Sequence, residues 1–396
     1  SNTTYNWANN TTSINLGAAN SGNITAFVAT NPTNTPVTAT ITVTPVFGSG
    51  NGICTGTSET FTITVNPIPT VNPVSSQSVC VGNLSQAINF TSTFNVAGTV
   101  YEWTNTNTSI GIQASNTGNI SAFNTVNSTN SVQTGNFSVT PKYTNLLEEC
   151  VGNPVTFSIS VIPTPTVVDP PNLVVCNNAS VAAVNFTGAI TGTTYSWTNT
   201  TPSINLAASS TGNIASFNAT NISSTPVVAV VQVTPSFTHG TTTCTGNNES
   251  FTITVNPTPT VDAISSEAYC VGSTTSTILF SSSFGVAGTT YAWTNSTPSI
   301  GLNASGNGNI SSFTTTNATN QSISGNIVVT PSANGCSGNS SNFNLTVNPI
   351  PTVNAVANQV KCNGTLSNAI SFSGAVPGTI YNWTNNNTSI NLGASG

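Results

Sequence analysis

Residues 155–167 read Val155-Thr-Phe157-Ser-Ile159-Ser-Val161-Ile-Pro163-Thr-Pro165-Thr-Val167. Up to Val161 apolar and polar residues alternate. That is the period of a strand with one buried face, and Val, Ile, Phe and Thr suit a pleated surface. The Pro-x-Pro that follows stops the strand. Proline donates no ladder hydrogen bond and stiffens the chain toward extended polyproline geometry. The same alternation runs through Phe61-Thr-Ile63-Thr-Val65 and Thr38–Val43, and no segment sustains helical periodicity. Disorder goes with low hydrophobicity and high net charge. Here hydrophobic residues are 37% and the net charge is only −6 over 396 residues, so the chain reads as folded and all-β.

Self-comparison sets the organisation. Trp7, Trp103, Trp197, Trp293 and Trp383 lie 96, 94, 96 and 90 residues apart, each two residues after a tyrosine. Downstream comes Ser-Ile-x-Leu at Ser13, Ser203, Ser299 and Ser389, with Ile112 in place of the leucine in the second copy. Gly-Asn-Ile follows at Gly22, Gly118, Gly212 and Gly308, with Phe three residues after each Ile. Then come Val-Thr-Pro, Cys-x-Gly, a last strand, and a proline joint at Pro67, Pro163, Pro257 or Pro349. About 94 residues separate the joints, close to the ~100 of an immunoglobulin-type sandwich. In the second copy seven strands are expected near 70–79, 86–93, 99–105, 109–113, 118–126, 135–143 and 154–162. Three complete repeats follow at 69–164, 165–258 and 259–350, flanked by partial ones at 1–68 and 351–396. Residue 1 is in phase with Pro377, so the chain reads as a segment of a longer array. The absence of a signal peptide then carries no information about export.

Composition excludes several function classes. Nearly half the chain is Ser, Thr, Asn or Gln, and only 3% is charged. With Lys142 and Lys361 as its only cations, it lacks the basic side chains that displace counterions from nucleic acid or dock on anionic membranes. No apolar run is long enough to span a bilayer as a helix.

Eight cysteines occur as two per repeat: Cys54, Cys80, Cys150, Cys176, Cys244, Cys270, Cys336 and Cys362. None has a neighbouring His and none forms Cys-x-x-Cys. Regular, even numbers fit disulfides and an oxidising, extracytoplasmic setting. The preferred pairing is within a repeat (Cys80–Cys150, Cys176–Cys244, Cys270–Cys336), because domains tend to be self-contained; Cys54 and Cys362 then pair outside this sequence. A pairing across each joint, Cys54–Cys80, Cys150–Cys176, Cys244–Cys270 and Cys336–Cys362, has the merit of a constant separation of 26 residues. In a strict seven-strand sandwich, however, the first and sixth loops lie at opposite ends. A third pairing therefore staples one repeat to the next, as Cys80–Cys244 and Cys176–Cys336.

Catalytic constellations are not found, and the reading is of a non-enzyme without cofactor or metal. His239 is the only imidazole, in a segment with no counterpart in the other repeats, and reads as a loop residue. The acids Glu59, Glu102, Glu148, Glu149, Asp169, Glu249, Asp262 and Glu267 recur as no pair, and no loop gathers the carboxylates that calcium wants. Glu148–Glu149 reads as a solvated loop. The five tryptophans sit where sandwiches of this type place a central core residue; exposed, they would instead stack on sugars. Asn-x-Ser/Thr sequons at Asn10, Asn23, Asn83, Asn119, Asn248 and Asn309 matter only where the source glycosylates asparagine.

The combined phrases Thr-Tyr-x-Trp-Thr-Asn, Ser-Ile-x-Leu, Gly-Asn-Ile-x-x-Phe and Thr-Val-Asn-Pro-x-Pro-Thr-Val resemble the PKD-like repeats of giant cell-surface proteins of Bacteroidota. The flavobacterial gliding-motility adhesin is the best-known type. The resemblance covers the whole chain. It implies type IX secretion, a bacterial cell-surface location, and long arrays forming filaments or stalks that serve adhesion or gliding by extending a distal adhesive region. The partners expected are neighbouring repeats of the same chain, laterally associated fibres and a surface polysaccharide. An array of carbohydrate-binding modules, or a spacer of a secreted enzyme, is the alternative.

Overall fold

A computed structural model describes residues 3–48 and 52–396. The chain is a tandem series of β-sandwich repeats. It divides into two compact units: residues 1–168, 186–196 and 233–249, and residues 169–185, 197–232 and 250–396. The third repeat contributes to both.

In the first unit the second repeat carries the full pattern. Strand Val100–Asn105, which holds Trp103, lies between short strand Ser115–Thr117 and long strand Gln133–Asn145. The long strand changes partner along its length. Gln133–Val139 pairs with last strand Val155–Ile162, and Lys142–Asn145 with hairpin strand Glu148–Val151. The change falls at Pro141, whose carbonyl accepts from Gly152 N–H at 2.9 Å. The same bond recurs at Pro45–Gly56, Pro235–Gly246 and Pro331–Gly338. Val-Thr-Pro and Cys-x-Gly are thus the two sides of one strand junction. A Cβ on Gly152 would run into the Pro69 carbonyl, so this glycine also lets the joint lie against the hairpin.

First strand Gln77–Cys80 adds to the free edge of the last strand, in parallel, with Gln77 beside Ile159 and Cys80 beside Ile162. The facing layer consists of two extended segments held by the bridges Leu84↔Asn124 and Ile88↔Ile120. Phe90 N–H donates to Asn119 Oδ1 at 2.9 Å, which gives the Gly-Asn-Ile motif its role. Between the layers Val71, Ile88, Phe90, Trp103, Ile110 and Phe137 are buried with Phe157 and Ile159. Phe137 and Phe157 stack at 4.9 Å. The first repeat has the strands Thr3–Asn9, Ala19–Ser21, Val37–Phe47, Cys54–Thr55 and Glu59–Val65 in the same relation. Among the described residues its Glu59–Val65 pairs only with the long strand.

In the second unit the fourth repeat copies the second. Glu267–Cys270 runs parallel to Ser341–Asn348, with Glu267 beside Leu345. In the third repeat Leu173–Cys176 is likewise parallel to Ile253–Asn256, and Ser180–Val181 pairs with Phe217–Asn218. Residues 351–396 carry one bridge, Thr384↔Ser395, and a single 3₁₀ turn, Thr388–Ile390.

Three of the seven expected strands take another form. Residues 109–113 belong to a 3₁₀ turn, Thr108–Ile110, closed by a left-handed residue, Gly111 at φ +100°. A chain that must reverse there cannot continue a ladder. Residues 86–93 and 118–126 make isolated bridges instead of strands. The first strand starts at Gln77, because the residues after the proline joint lie extended without a ladder partner.

Candidate functional site: the staples between repeats

The in-repeat disulfides do not form. The structure joins Cys80 to Cys244 and Cys176 to Cys336, each with a Cα–Cα distance of 5.7 Å. The reason is the parallel first strand. It places Cys80 beside Ile162, past the Val161↔Gln133 pair at one end of the long strand. Cys150 lies opposite Tyr143, near the other end. Ten residues at about 3.3 Å each put roughly 33 Å between the two levels, far beyond the ~7 Å that a disulfide spans. Cross-joint pairing fails for the same reason, since Cys54 sits opposite Phe47, at the end of the first repeat remote from its joint. What meets is the first-strand cysteine of one repeat and the hairpin cysteine of the next. Cys54, Cys150, Cys270 and Cys362 carry free thiols.

Each staple is buttressed. Thr242 Oγ1, in the third repeat's hairpin, donates to Ser78 O at 3.2 Å, so the hairpin lies along the strand that ends in Cys80. Cys244 and Cys336 are buried, 3% and 2% exposed. Joint asparagines make a second contact. Asn256 Nδ2 donates to Asn334 O at 2.9 Å, in the hairpin turn of the following repeat. Asn145 Nδ2 donates to Asn66 Oδ1 at 2.8 Å across the preceding joint. At the joint after the second repeat the asparagine is replaced by Ile162, which is fully buried. Burial, and then the neighbouring Glu148 carboxylate, push the Cys150 thiol above the ordinary thiol range, which lowers its thiolate fraction at neutral pH.

Trp7, Trp103, Trp197 and Trp293 are buried, and Trp383 is half-buried. The four buried indole N–H groups have no hydrogen-bond partner among the described residues. An indole enclosed in this way offers no face to a sugar. His239 ends the long strand Val227–His239, opposite Thr242 in a hairpin. Glu148 and Glu149 form part of a hairpin strand and are not a free loop. Lys142 Nζ lies 2.9 Å from Glu102 and 3.2 Å from Glu149, and those bonds hold its ammonium above the usual lysine range. Among the described residues, no three His, Cys, Asp or Glu side chains gather as metal ligands would.

The motif residue that composition hid is asparagine. Asn105, two residues after Trp103, is buried; its Nδ2 donates to Asn107 O at 2.8 Å and its Oδ1 accepts from Asn107 N. Asn9, Asn199 and Asn295 likewise accept at Oδ1 from the N–H two residues on, while their Nδ2 groups donate to Leu16 O, Leu206 O and Leu302 O, seven residues on. Asn127 Nδ2 ties Ser131 O to Val161 O, and Asn31, Asn221 and Asn317 do likewise in their repeats. Neutral amides here fill the place that ion pairs take elsewhere. The signal was available: each of these asparagines recurs in register with the tryptophan.

Residues 77–165 match the family profile of a PKD-like domain. No curated protein matches the chain at a significant level. Among solved structures, human desmocollin-1 ectodomain is 12% identical, with a TM-score of 0.29 over 80% of this chain and 69% of that one. Sidekick-1 immunoglobulin domains 1–4 are 13% identical, with a TM-score of 0.27 over 87% and 90%. Mouse cadherin-23 EC22–24 is 10% identical, with a TM-score of 0.32 over 70% and 96%.

Proposed function

We propose that this chain is a non-catalytic structural segment of a long extracellular filament or adhesin stalk at a bacterial surface. It extends and spaces a distal adhesive region. The observation that carries this reading is the staple: each disulfide leaves its own repeat and locks onto the next. An enzyme or lectin needs a formed pocket, whereas a load-bearing array needs strong junctions, and the covalent investment here is in junctions. Disulfides also fit a compartment that keeps thiols oxidised. The resemblance to repeats of Bacteroidota surface proteins extends the proposal to type IX export and to a role in adhesion or gliding.

The test is electron microscopy of sheared cell-surface material labelled with an antibody against one repeat. Label at regular intervals along thin fibres is the expected result. Label confined to compact soluble particles would overturn the stalk and favour a spacer of a secreted enzyme.

A further inference from the structure

We propose that the Asp169–Pro170 peptide bond is an acid-triggered self-cleavage site, and that the Cys80–Cys244 staple holds the two fragments together until a thiol reductant opens it. The bond lies at the joint between two complete repeats. The inference goes beyond the stalk reading and does not depend on it.

The first observation is a missing clasp. Eight residues before the first-strand cysteine the second repeat has Asn72, the third Val168 and the fourth Asp262. All three donate their backbone N–H to the facing segment at 2.8 Å, to Thr91 O, Thr187 O and Ser281 O. Asn72 adds side-chain bonds: Oδ1 accepts from Thr93 N at 3.1 Å, and Nδ2 donates to Thr91 Oγ1 at 3.0 Å. Asp262 accepts from Ser283 N and Ser281 Oγ, both at 2.9 Å. Val168 can make no such bond, and its side chain is 63% exposed. The acid of the third repeat stands one residue later, at Asp169, directly before Pro170. Asp169 is exposed, and among the described residues its carboxylate has neither a hydrogen bond nor an ion pair. Asp262, the other aspartate of the chain, is clasped and precedes Ala263.

An unclasped aspartate before proline is set up to cut its own backbone. The carboxyl reaches its own carbonyl carbon through a five-membered ring, and a nucleophile held that near acts at a high effective concentration. Pro170 decides which bond breaks, because its nitrogen carries no hydrogen and cannot turn on the side chain to form a succinimide. In acid Asp169 Oδ attacks the Asp169 carbonyl carbon, and the carbon–nitrogen bond to Pro170 breaks. The carboxyl proton ends on the Pro170 nitrogen, which leaves as a secondary amine. A cyclic anhydride remains at Asp169, and one water opens it to two carboxyls. One peptide bond is hydrolysed, and nothing is oxidised or reduced. Two elements pack along this joint. Asn172 Oδ1 accepts from Thr252 N at 2.7 Å, in the last strand, whose ionisable residue is Glu249 at its start. In the facing segment a Cβ on Gly188 would meet both Thr166 O and the Tyr195 hydroxyl. Neither Glu249 nor Tyr195 is a cation that would occupy the carboxylate.

The second observation is topological. The cut falls after Val155–Ile162, the last strand of the second repeat, and before Leu173–Cys176, the first strand of the third. Every strand therefore survives it. Only Cys80–Cys244 spans the cut, since Cys176 and Cys336 both lie beyond it. Acid alone leaves residues 1–169 and 170–396 joined through that disulfide. Reductant alone leaves them joined through the peptide bond. The two together part them. Cys80 is the open side of the staple, being half-buried where Cys244 is 3% exposed. Two thiol–disulfide exchanges leave both cysteines as thiols and the reductant as its own disulfide.

The oxidised full chain would be held at about pH 3, acid enough to protonate free carboxylates, or at about pH 7. Each sample would then be neutralised and run on a denaturing gel with and without dithiothreitol. Two fragments should appear only in the lane that saw both acid and reductant, and mass spectrometry should find a new C-terminus at Asp169 and a new N-terminus at Pro170. Asp169→Ala changes an exposed side chain, so it should keep the melting profile and resist cleavage. Asp169→Glu, which must close a six-membered ring, should be cut more slowly. A chain that stays whole in acid, that is cut equally after Asp262, that parts without reductant, or an Asp169→Ala variant cut at the same bond would each overturn the proposal. None of these outcomes bears on the surface-labelling experiment, which reads only where the repeats lie.

Discussion

At the scale of single residues, the x of Ser-Ile-x-Leu is Asn15, Gly111, Asn205, Gly301 or Asn391, and all five have positive φ. The two residue types solve one geometric problem differently. A Cβ on Gly111 would lie 2.5 Å from Asn124 O. Asn15 and Asn205 instead donate Nδ2 to the equivalent carbonyls, Val28 O at 2.8 Å and Asn218 O at 3.0 Å. Gly111→Ala should therefore destabilise the second repeat by about 2 kcal/mol or more, from left-handed strain plus the clash. Asn205→Gly should cost about 1 kcal/mol, one hydrogen bond. Urea melts of the two variants, ranked in the opposite order, would refute this account. Asn105→Ala removes both sides of a buried clasp and should cost about 1–3 kcal/mol. Trp103→Phe should differ in kind: the indole N–H has no partner to lose, so its cost is volume alone.

At the scale of elements, the sequence made the long and last strands plain, because their alternation is unbroken and β-branched. Phe157-Ser-Ile159-Ser-Val161 falls within Val155–Ile162 as read. The first strand was harder, since Gln77–Cys80 has four residues and is ordered by its parallel partner more than by its own pattern. That one pairing also decided the disulfides. Loop order along the chain does not reveal which end of the sandwich a loop occupies, and preference for self-contained domains pointed the wrong way. The staples should in turn set the unit of cooperativity. Cys80–Cys244 encloses a loop with a sequence separation of 164, and the chain-entropy argument assigns such a loop about 5 kcal/mol if both repeats unfold together. Oxidised chain should melt with repeats two to four merged in one calorimetric transition. Reduction, or Cys80→Ser with Cys176→Ser, should lower the midpoint and split the transition. An unchanged single transition would place the coupling in noncovalent contacts such as Asn256–Asn334.

At the scale of the whole molecule, a chain that is 3% charged is held by amides, hydroxyls and disulfides. The few ionic contacts act at the extremes of pH. Asp262 accepts from Ser283 N and from the Ser283 and Ser281 hydroxyls, which holds its carboxyl below the ordinary range. Its contribution is present above the unfolded value and is lost as pH falls through the folded one. Lys142 is raised, so its contribution is complete below the unfolded value and lost as pH rises through the folded one. Between about pH 5 and 8 neither changes state, and the raised Cys150 thiol also stays protonated, so the melting temperature should stay flat across that window and between low and high salt. A steep slope there would reveal ionic contacts that the fold does not contain. Covalent topology yields a stronger test, because the staples interleave: Cys176 lies inside the loop closed by Cys80–Cys244, and Cys336 lies beyond it. In a fully unfolded oxidised chain pulled by its ends, the shortest covalent route uses residues 1–80, runs back from 244 to 176, and leaves through 336–396. Tension is carried along that route, and roughly 190 residues stay slack, about 650 Å of contour at ~3.5 Å each. Force spectroscopy should recover that length only after a thiol reductant is added. If oxidised and reduced chains extend equally, the staples carry no load, and a stalk built on them would have no mechanical advantage over unlinked repeats.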